Sequence, residues 1–331
     1  MSKTALITGC NGQDGAWLSK HLLELGYEVY GMIRRGATDK LWRLRHVGAI
    51  GNPNFHLVSG DLIDHASLGT LMSKYHPDEC YNLGAQSFVG ESFNSPIATC
   101  DVTGMGVLNL VEAIRVHSPE TKVYQAGSSE QFGYDEWPAG KPMDERTPFH
   151  PRSPYGCAKT FAHHVVQNYR EAYGIFGSVG LLFNHESELR GEEFVTAKIC
   201  RGAVEVYLGM RHELALGNLE ARRDWGYAPD YVRGMHLMLQ HDKPDDFVLS
   251  TGEAHSIRDL CDRAFGFFGL DYEKHVVIDQ QFVRPSDVNY LLGNSTKALS
   301  ILGWEREVSF QGMVDRMCKF WLNRVSKRSI R

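Results

Sequence analysis

No apolar run in this 331-residue sequence approaches the ~20 residues needed to span a bilayer, which sets aside an integral membrane protein. Its seven cysteines, an odd number, are scattered without a Cys-x-x-Cys pair. Neither a zinc site nor a disulfide framework is indicated, and a reducing cytoplasm is the expected setting. An excess of one charge is lacking as well: a net charge of −5 weighs against a nucleic-acid or membrane-surface partner. There is no internal repeat, no low-complexity tract and no Pro/Gly-rich linker. The opening "MSKTALITGCNGQDG" lacks a signal-peptide layout and enters a strand pattern at once. What is present is 43% hydrophobic and 23% charged, the balance of an ordinary globular protein, in a chain long enough for two lobes.

Short apolar runs alternate with amphipathic stretches through the first half. "TALITG", "EVYGMIRR", "FHLVSGDL", "ECYNLGAQS", "KVYQAGSS" and "GSVGLLFN" read as strands. "AWLSKHLLELG", "HASLGTLMSKY", "VTGMGVLNLVEAIRV" and "AKTFAHHVVQNYREAYG" read as helices. This alternation predicts an α/β protein with a doubly wound parallel sheet covered on both faces. After about residue 182 the rhythm breaks into shorter elements and loops rich in Arg, Glu and Gly. The expected division is a sheet domain over 1–181 with returning segments at about 218–250 and 286–294. A smaller α/β substrate-binding lobe then takes about 182–217, 251–285 and 295–331.

Between the first strand and first helix lies "GCNGQDG", with Gly9, Gly12 and Gly15 spaced around Gln13 and Asp14. Glycines here permit a tight turn and let the backbone approach a pyrophosphate seated on the helix N-terminus. A glycine triplet alone is equally a plain turn. Its place at the first strand–helix junction, with a βαβ pattern following, makes a Rossmann-type dinucleotide site the stronger reading. The second strand ends in Arg34 and Arg35, where NAD-preferring proteins usually carry an acidic residue. Cations here suit a 2′-phosphate and so NADP; the bland alternative is a solvated surface pair. Asp61 and Leu62, in "GDL" after the third strand, are placed at the adenine, although Asp61 serves equally well as a helix cap.

"RSPYGCAKTFAHH" sets Tyr155 and Lys159 one helical turn apart on a helix opened by Ser153-Pro154. A lysine ammonium near a phenol favours the phenolate, so the tyrosine is expected to titrate low and to serve as a base toward an alcohol. Alone, Tyr-x-x-x-Lys is usually a helical surface pair. Joined to the glycine loop and to Ser128 at a strand end, it becomes specific.

With those features in place, the chain resembles the extended short-chain dehydrogenase/reductases. Within them it is similar to the GDP-mannose 4,6-dehydratase family from the first strand to about residue 323. The resemblance rests on "GQDGAWL", "YNLGAQSFVGESF", "SSEQFG", "RSPYGCAK", "FNHES", "RGEEFVTAKI", "GNLEARRDWGYAPDYV" and "RPSDVNYLLGN". It implies a hydro-lyase of deoxysugar biosynthesis that uses NADP and takes a GDP-sugar. Ser128 would hydrogen-bond the sugar 4-hydroxyl beside Tyr155, which takes the O4 proton as hydride passes from C4 to NADP⁺. Glu130 would remove the C5 proton and help expel the 6-hydroxyl as water, after which the hydride returns to C6. Related epimerases lack a carboxylate at position 130, whereas nucleotide-sugar decarboxylases keep one. The same resemblance puts Ser87, Asn184, Lys198, Arg223, Arg284 and Asp287 on the nucleotide sugar, with the arginines on phosphates and Asp287 on the ribose. It makes His185 and Arg190 cofactor contacts, Arg190 near the 2′-phosphate. Read alone, each cation is more often a surface residue, and Asn184 and His185 are more often caps or satisfied core residues.

The chain departs from the family pattern at four places. Gly127-Ser128 stands for a Ser-Thr pair, and Glu188-Leu189-Arg190 occurs where proline commonly precedes the basic residue. Ala197 stands for an arginine beside Lys198, and Gly84 for an alanine. Smaller side chains are expected to widen the sugar pocket, which keeps a GDP-manno-heptose as an alternative substrate to GDP-mannose. A decarboxylase, an epimerase, a 4-keto reductase and a non-catalytic cofactor sensor are the remaining alternatives; retention of Tyr155 and Lys159 counts against the last. Helices "VTGMGVLNLVEAI" and "AKTFAHHVVQNYREAYG" resemble the pair that builds a four-helix dimer interface in the superfamily. "GATDKLWRLRHVG", expected to expose Trp42 among arginines, resembles a segment that joins dimers into tetramers. A homotetramer is expected, a dimer second, with no metal.

Overall fold

Seven parallel strands form the central sheet of the computed structural model, which describes residues 2–133, 138, 140–279, 281, 288 and 290–328. In chain order the strands are β1 (Thr4–Thr8), β2 (Glu28–Ile33), β3 (Phe55–Ser59), β4 (Glu79–Asn82), β5 (Lys122–Ala126), β6 (Gly177–Leu182), β7 (Asn184–Glu186), β8 (Leu214–Leu216), β9 (Arg222–Tyr227), β10 (Asp246–Leu249), β11 (Ala254–Ser256) and β12 (Val276–Ile278). The large sheet runs β3-β2-β1-β4-β5-β6-β10, every pairing parallel. Strands covered on both faces need apolar side chains at every position, which is why "GSVGLL" of β6 is buried throughout. The winding reverses between β1 and β4, and ligands of such sheets sit outside the carboxyl ends of the strands at that point.

The helices are α1 (Gln13–Glu24), α2 (Trp42–His46), α3 (His65–Tyr75), α4 (Val89–Asn94), α5 (Pro96–Cys100), α6 (Gly106–His117), α7 (Pro154–Tyr173), α8 (Val195–Tyr207), α9 (Ala228–Gln240), α10 (Ile257–Gly266), α11 (Thr296–Leu302) and α12 (Phe310–Arg328). Strand alternation sorts them onto two faces. Ala5 and Ile7 of β1 join Leu18 and Leu22 of α1 and Met235 and Met238 of α9, whereas Leu6 joins Leu68 of α3 and Leu110 and Ile114 of α6. α7 is opened by the Ser153 hydroxyl, which accepts from Gly156 N, with Pro154 at the first turn, and closed by Gly174 at φ 69°. α5 runs into α6 through a π-helical segment, Asp101–Met105. The resulting stretch Pro96–His117 has 22 residues and holds an 18-residue window of mean hydropathy 1.4, enough by length and composition to cross a membrane, which the sequence reading did not anticipate. Half of it is buried inside the fold, as in a core helix.

One residue, Phe183, separates β6 from β7, so the chain passes directly from the large sheet to a small one of order β11-β9-β7. Around that small sheet α8, α10 and α12 enclose a second core with Trp225, Phe265 and Met317 at less than 3% exposure. α9 and β10 return to the large sheet. α11 does so too, with Ala298 in the first core, although 295–331 was assigned to the smaller lobe; only α12 enters the second core. Trp42 also differs from expectation. It is half-buried, sandwiched between the Arg43 and Arg324 guanidiniums at 4.6 and 4.4 Å and stacked toward Phe320 of α12.

Candidate active site

The carboxyl ends of β1, β4, β5 and β6 face the second lobe across a cavity of about 830 Å³. Its wall gathers Gly9, Gly12, Gln13, Asp14, Gly15, Ser87, Ser128, Glu130, Tyr155, Lys159, Asn184, His185, Arg190, Lys198 and Arg223. Arg34 and Arg35 are exposed beyond the end of β2 and do not share this wall with Arg190. Leu62 is buried, with its Cδ1 against Gly84. Asp61 is not the cap of α3; Asp64 is, accepting from Ala66 N and Ser67 N. Arg284 and Asp287 lie outside the described residues.

The glycine loop has the shape its spacing predicts. Gly9 sits at φ 64°, and a Cβ there would lie 2.9 Å from the Gly84 backbone; a Cβ on Gly15 would lie 2.4 Å from Gly9 O. Gly12 caps α1 without a side chain, leaving the first helical N–H groups directed to the cavity. This cradle fits a dinucleotide pyrophosphate. The Oδ1 of Asn184, buried without a hydrogen-bond partner among the described residues, offers a ligand a further acceptor. Beside the loop, His185 Nε2 lies 2.8 Å from Asp14 Oδ2 and its Nδ1 lies 2.7 Å from Phe183 O. Gln13 Nε2 donates to Asp14 Oδ1 at 3.0 Å and to His185 O at 3.1 Å. Burial pushes the Asp14 carboxyl up, but the charge and hydrogen bond of His185 outweigh it and hold the group below its ordinary value. Burial likewise lowers His185, and Asp14 more than restores it, leaving the imidazole raised.

β5 ends at Ala126 and the chain turns through a short 3-10 helix, Ser129–Gln131, which presents Ser128 and Glu130 to the cavity. Tyr155, 8% exposed, faces them from the first turn of α7. Burial pushes its phenol up to about 12, Glu130's charge acts the same way, and only the hydrogen bond with Ser128 and the Arg190 charge oppose them. Lys159 is not among the groups that oppose the rise, so the depression expected from it is not seen among the protein's own groups. Lys159, 3% exposed, is itself lowered to about 8 by burial; its Nζ donates to Ala126 O at 2.7 Å and stands 5.7 Å from the Tyr155 ring centre. Of the cations placed on the nucleotide sugar, Lys198 donates to Ala215 O at 2.7 Å and Arg223, 8% exposed, to Arg222 O at 2.9 Å. Arg190 lies 2.9 Å from Glu186 and stacks on Phe194.

Sequence reasoning missed a buried polar chain beneath this site. Thr8 Oγ1 accepts from Leu83 N and Gly84 N and donates to Asn82 Oδ1 at 2.5 Å. Asn82 Nδ2 donates to Gln125 Oε1 at 2.7 Å, and Gln125 Nε2 donates at 2.8 Å to Ala126 O, the same carbonyl that holds Lys159. The available signal was three polar residues at the ends of otherwise apolar strands, since a buried amide must find partners.

Gly84, Ala197 and Glu188 lie away from the cavity, whereas Gly127 and Ser128 lie in its wall. A Cβ on Gly84 would meet Leu62 Cδ1 at 2.8 Å and Thr8 Oγ1 at 3.1 Å. A Cβ on Gly127 would meet Gly180 O at 2.7 Å and Gln131 Oε1 at 2.8 Å. Ala197 is fully buried in the second core. Glu188 accepts from Tyr227 Oη at 3.1 Å. Gly84, Ala197 and Glu188 therefore do not widen the sugar pocket; Gly127 and Ser128 do line it, although the space beside Gly127 is taken up by Gln131 Oε1 and Gly180 O.

A sequence profile described as GDP-mannose 4,6 dehydratase matches residues 6–317. "GDP-mannose 4,6 dehydratase 1" of Arabidopsis thaliana is 47% identical over 323 residues, spanning 95% of this chain and 88% of that protein. Among solved structures, dTDP-glucose 4,6-dehydratase of Bacillus anthracis, in complex with NAD, superposes with a TM-score of 0.85 at 17% identity, covering 98% of both chains. RMD from Pseudomonas aeruginosa, complexed with NADPH, superposes with a TM-score of 0.79 at 21% identity, covering 97% of this chain and all of that one. The two solved structures speak for the fold, whereas the profile and the plant relative extend over nearly the whole chain and over every described residue of the cavity. This chain belongs to the GDP-mannose 4,6-dehydratase family.

Proposed function

We propose that this protein is a hydro-lyase that converts GDP-mannose to GDP-4-keto-6-deoxymannose and water, with NADP as its resident cofactor. The observation that carries the reading is Glu130: a carboxylate in the cavity wall beside Ser128 and Tyr155 gives the site a second acid–base group, which elimination needs and simple oxidation at C4 does not. The nicotinamide of NADP, bound over the glycine loop, supplies a hydride acceptor and later a donor. Ser128 orients the sugar 4-hydroxyl, and Tyr155 Oη takes its proton. Lys159, fixed on Ala126 O, keeps positive charge beside the phenol. Glu130 takes the proton from C5, acidified by the 4-ketone, and passes it to the departing 6-hydroxyl, which leaves as water. The proton that left O4 balances the one returned to C5, so atoms are conserved over the turnover.

NADP rather than NAD is favoured by Arg34 and Arg35, two exposed cations at the end of β2. Of the two solved structures named above, one carries NADPH and the other NAD, so the preference rests on those arginines. We place the enzyme in the cytoplasm and read it as a homotetramer, a dimer second. The apolar residues Met105 and Phe161, 44% and 43% exposed, support pairing through the helices expected to form a dimer interface.

The experiment is turnover of GDP-mannose by the Glu130→Gln variant, read as 4-keto-6-deoxy product and as solvent deuterium incorporated at C5. Loss of a positioned acid–base group is expected to lower kcat by about 100-fold or more. A variant that eliminates water at the parent rate refutes the role given to Glu130.

A further inference from the structure

Gly127 and Gln131 act as one device. The Gln131 side chain is fully buried, and its Oε1 accepts from Ser128 N at 2.9 Å. That bond closes a capping box: the Ser128 hydroxyl accepts from Glu130 N at 3.2 Å. Oε1 occupies the space beside Gly127 where a Cβ would stand, 2.8 Å away. On its other side, Gln131 Nε2 lies 3.4 Å from His163 Nδ1, and His163 Nε2 lies 3.2 Å from Asp246 Oδ2. Asp246 is the end of the line. It also receives Gln167 Nε2 at 2.8 Å, Arg170 Nη2 at 3.0 Å and Val179 N at 3.3 Å, and this surplus of donors holds its carboxyl well below the usual range.

The direction of every bond follows from one obligate donor. Ser128 N can only donate, so Gln131 must turn its oxygen there and its amide NH₂ toward His163. Nδ1 of His163 therefore presents its lone pair, and the ring proton sits on Nε2, facing the carboxylate of Asp246. A buried aspartate thus sets the histidine tautomer, the histidine sets the amide, and the amide holds the backbone of the turn that carries Ser128 and Glu130. His163 belongs to α7, two turns beyond Tyr155, so the line ties the turn to the helix that supplies the other reacting groups.

We propose that Gln131 is a positioning residue, oriented by His163 and Asp246, that aims Ser128 and Glu130 at the sugar; the proposal rests on the roles given above to those two residues. The test compares Gln131→Leu, which removes the acceptor for Ser128 N, with Gln131→Glu, which keeps one. A misaimed acid–base group is expected to lower kcat of Gln131→Leu about tenfold to a hundredfold, with KM for GDP-mannose unchanged. Gln131→Glu is expected to retain kcat within about threefold, because a carboxylate oxygen also accepts from a backbone N–H. A purely structural role would depress both variants alike and would move unfolding midpoints without separating kcat from KM. Parent-like kcat in Gln131→Leu while Glu130→Gln is impaired overturns the positioning line and leaves the dehydratase reading intact. Parent-like elimination by Glu130→Gln overturns that reading itself. If Gln131→Leu does not fold, Gln131→Met removes the same acceptor with an unbranched chain and decides the question.

Discussion

His185 faces two groups that can only accept, the Asp14 carboxylate at 2.8 Å and Phe183 O at 2.7 Å, so both ring nitrogens must donate and the ring is an imidazolium. Replacing His185 with Phe keeps the stack on Tyr231, where the ring centres are 4.5 Å apart at 17°, and removes both bonds and the charge. Asp14 is then left with Gln13 Nε2 as its remaining side-chain donor, while its own side chain is 22% exposed. Breaking a buried pair costs about 3–5 kcal/mol; the residual solvent contact of Asp14 brings the expected loss down to roughly 2–3 kcal/mol. In a protein of this size that corresponds to a fall of roughly 5 °C in Tm.

The pH dependence gives the sign. His185 titrates higher when folded than when unfolded, so its contribution is complete below an unfolded value of about 6.5 and is lost as pH rises through the folded one. Asp14 titrates lower when folded, so its share is present above an unfolded value of about 3.9 and is lost as pH falls through the folded one. Thermal unfolding of parent and His185→Phe from about pH 5 to about pH 9 should show the gap narrow toward alkaline pH. Adding Asp14→Leu should recover stability relative to His185→Phe, because the stranded carboxylate is gone. A gap constant with pH, together with additive losses in the double variant, would refute the ion-pair argument.

Two further outcomes concern the lysine beside the phenol and the arginines beyond β2. Lys159 loses its proton near pH 8, so kcat of the parent should fall above that value; Lys159→Arg, whose guanidinium stays charged, should carry the limb upward, and a limb that stays put assigns it to another group. Replacing Arg34 and Arg35 with alanine should weaken NADP binding about tenfold or more while leaving NAD binding unchanged, as calorimetric titration will show; equal weakening of both would place these arginines elsewhere than on the 2′-phosphate.

The strand–helix rhythm of the first half was legible because parallel strands covered on both faces must be apolar throughout, and β1 to β6 each answer to a run read from the sequence. The glycine loop and the Tyr155–Lys159 pair were legible because their spacing is local. The Asp14–His185 pair and the Lys159–Ala126 O bond were not, because they join residues 171 and 33 positions apart. Nor was the burial that pushes Tyr155 up: spacing shows that a lysine is near, but only packing shows that water is absent. Trp42 was misread for the same reason, since its cover comes from Arg324 and Phe320 near the far end of the chain.

The misreading of Gly84 as a pocket-widening residue had a remedy in the sequence itself. Extended backbone sends successive side chains to opposite faces, so a residue next to one that faces the sugar faces the sheet. Leu83, Ala85 and Ser87 line the cavity while Gly84 meets Leu62 and Thr8 beneath it; Gly127 and Ser128 both line the cavity, but a Cβ on Gly127 would meet Gln131 Oε1 and Gly180 O. Both glycines therefore make room for neighbours, and a methyl at either position would press on those neighbours at less than 3 Å. What remains of the argument for a bulkier sugar is Ser128, which lines the cavity with one methyl fewer than threonine. A substitution meant to alter sugar size must fall on a residue of the wall, such as Ser87 or Ser128. One at Gly127 should instead disturb the aim of Ser128 and Glu130, a loss that appears in kcat rather than in the choice of sugar.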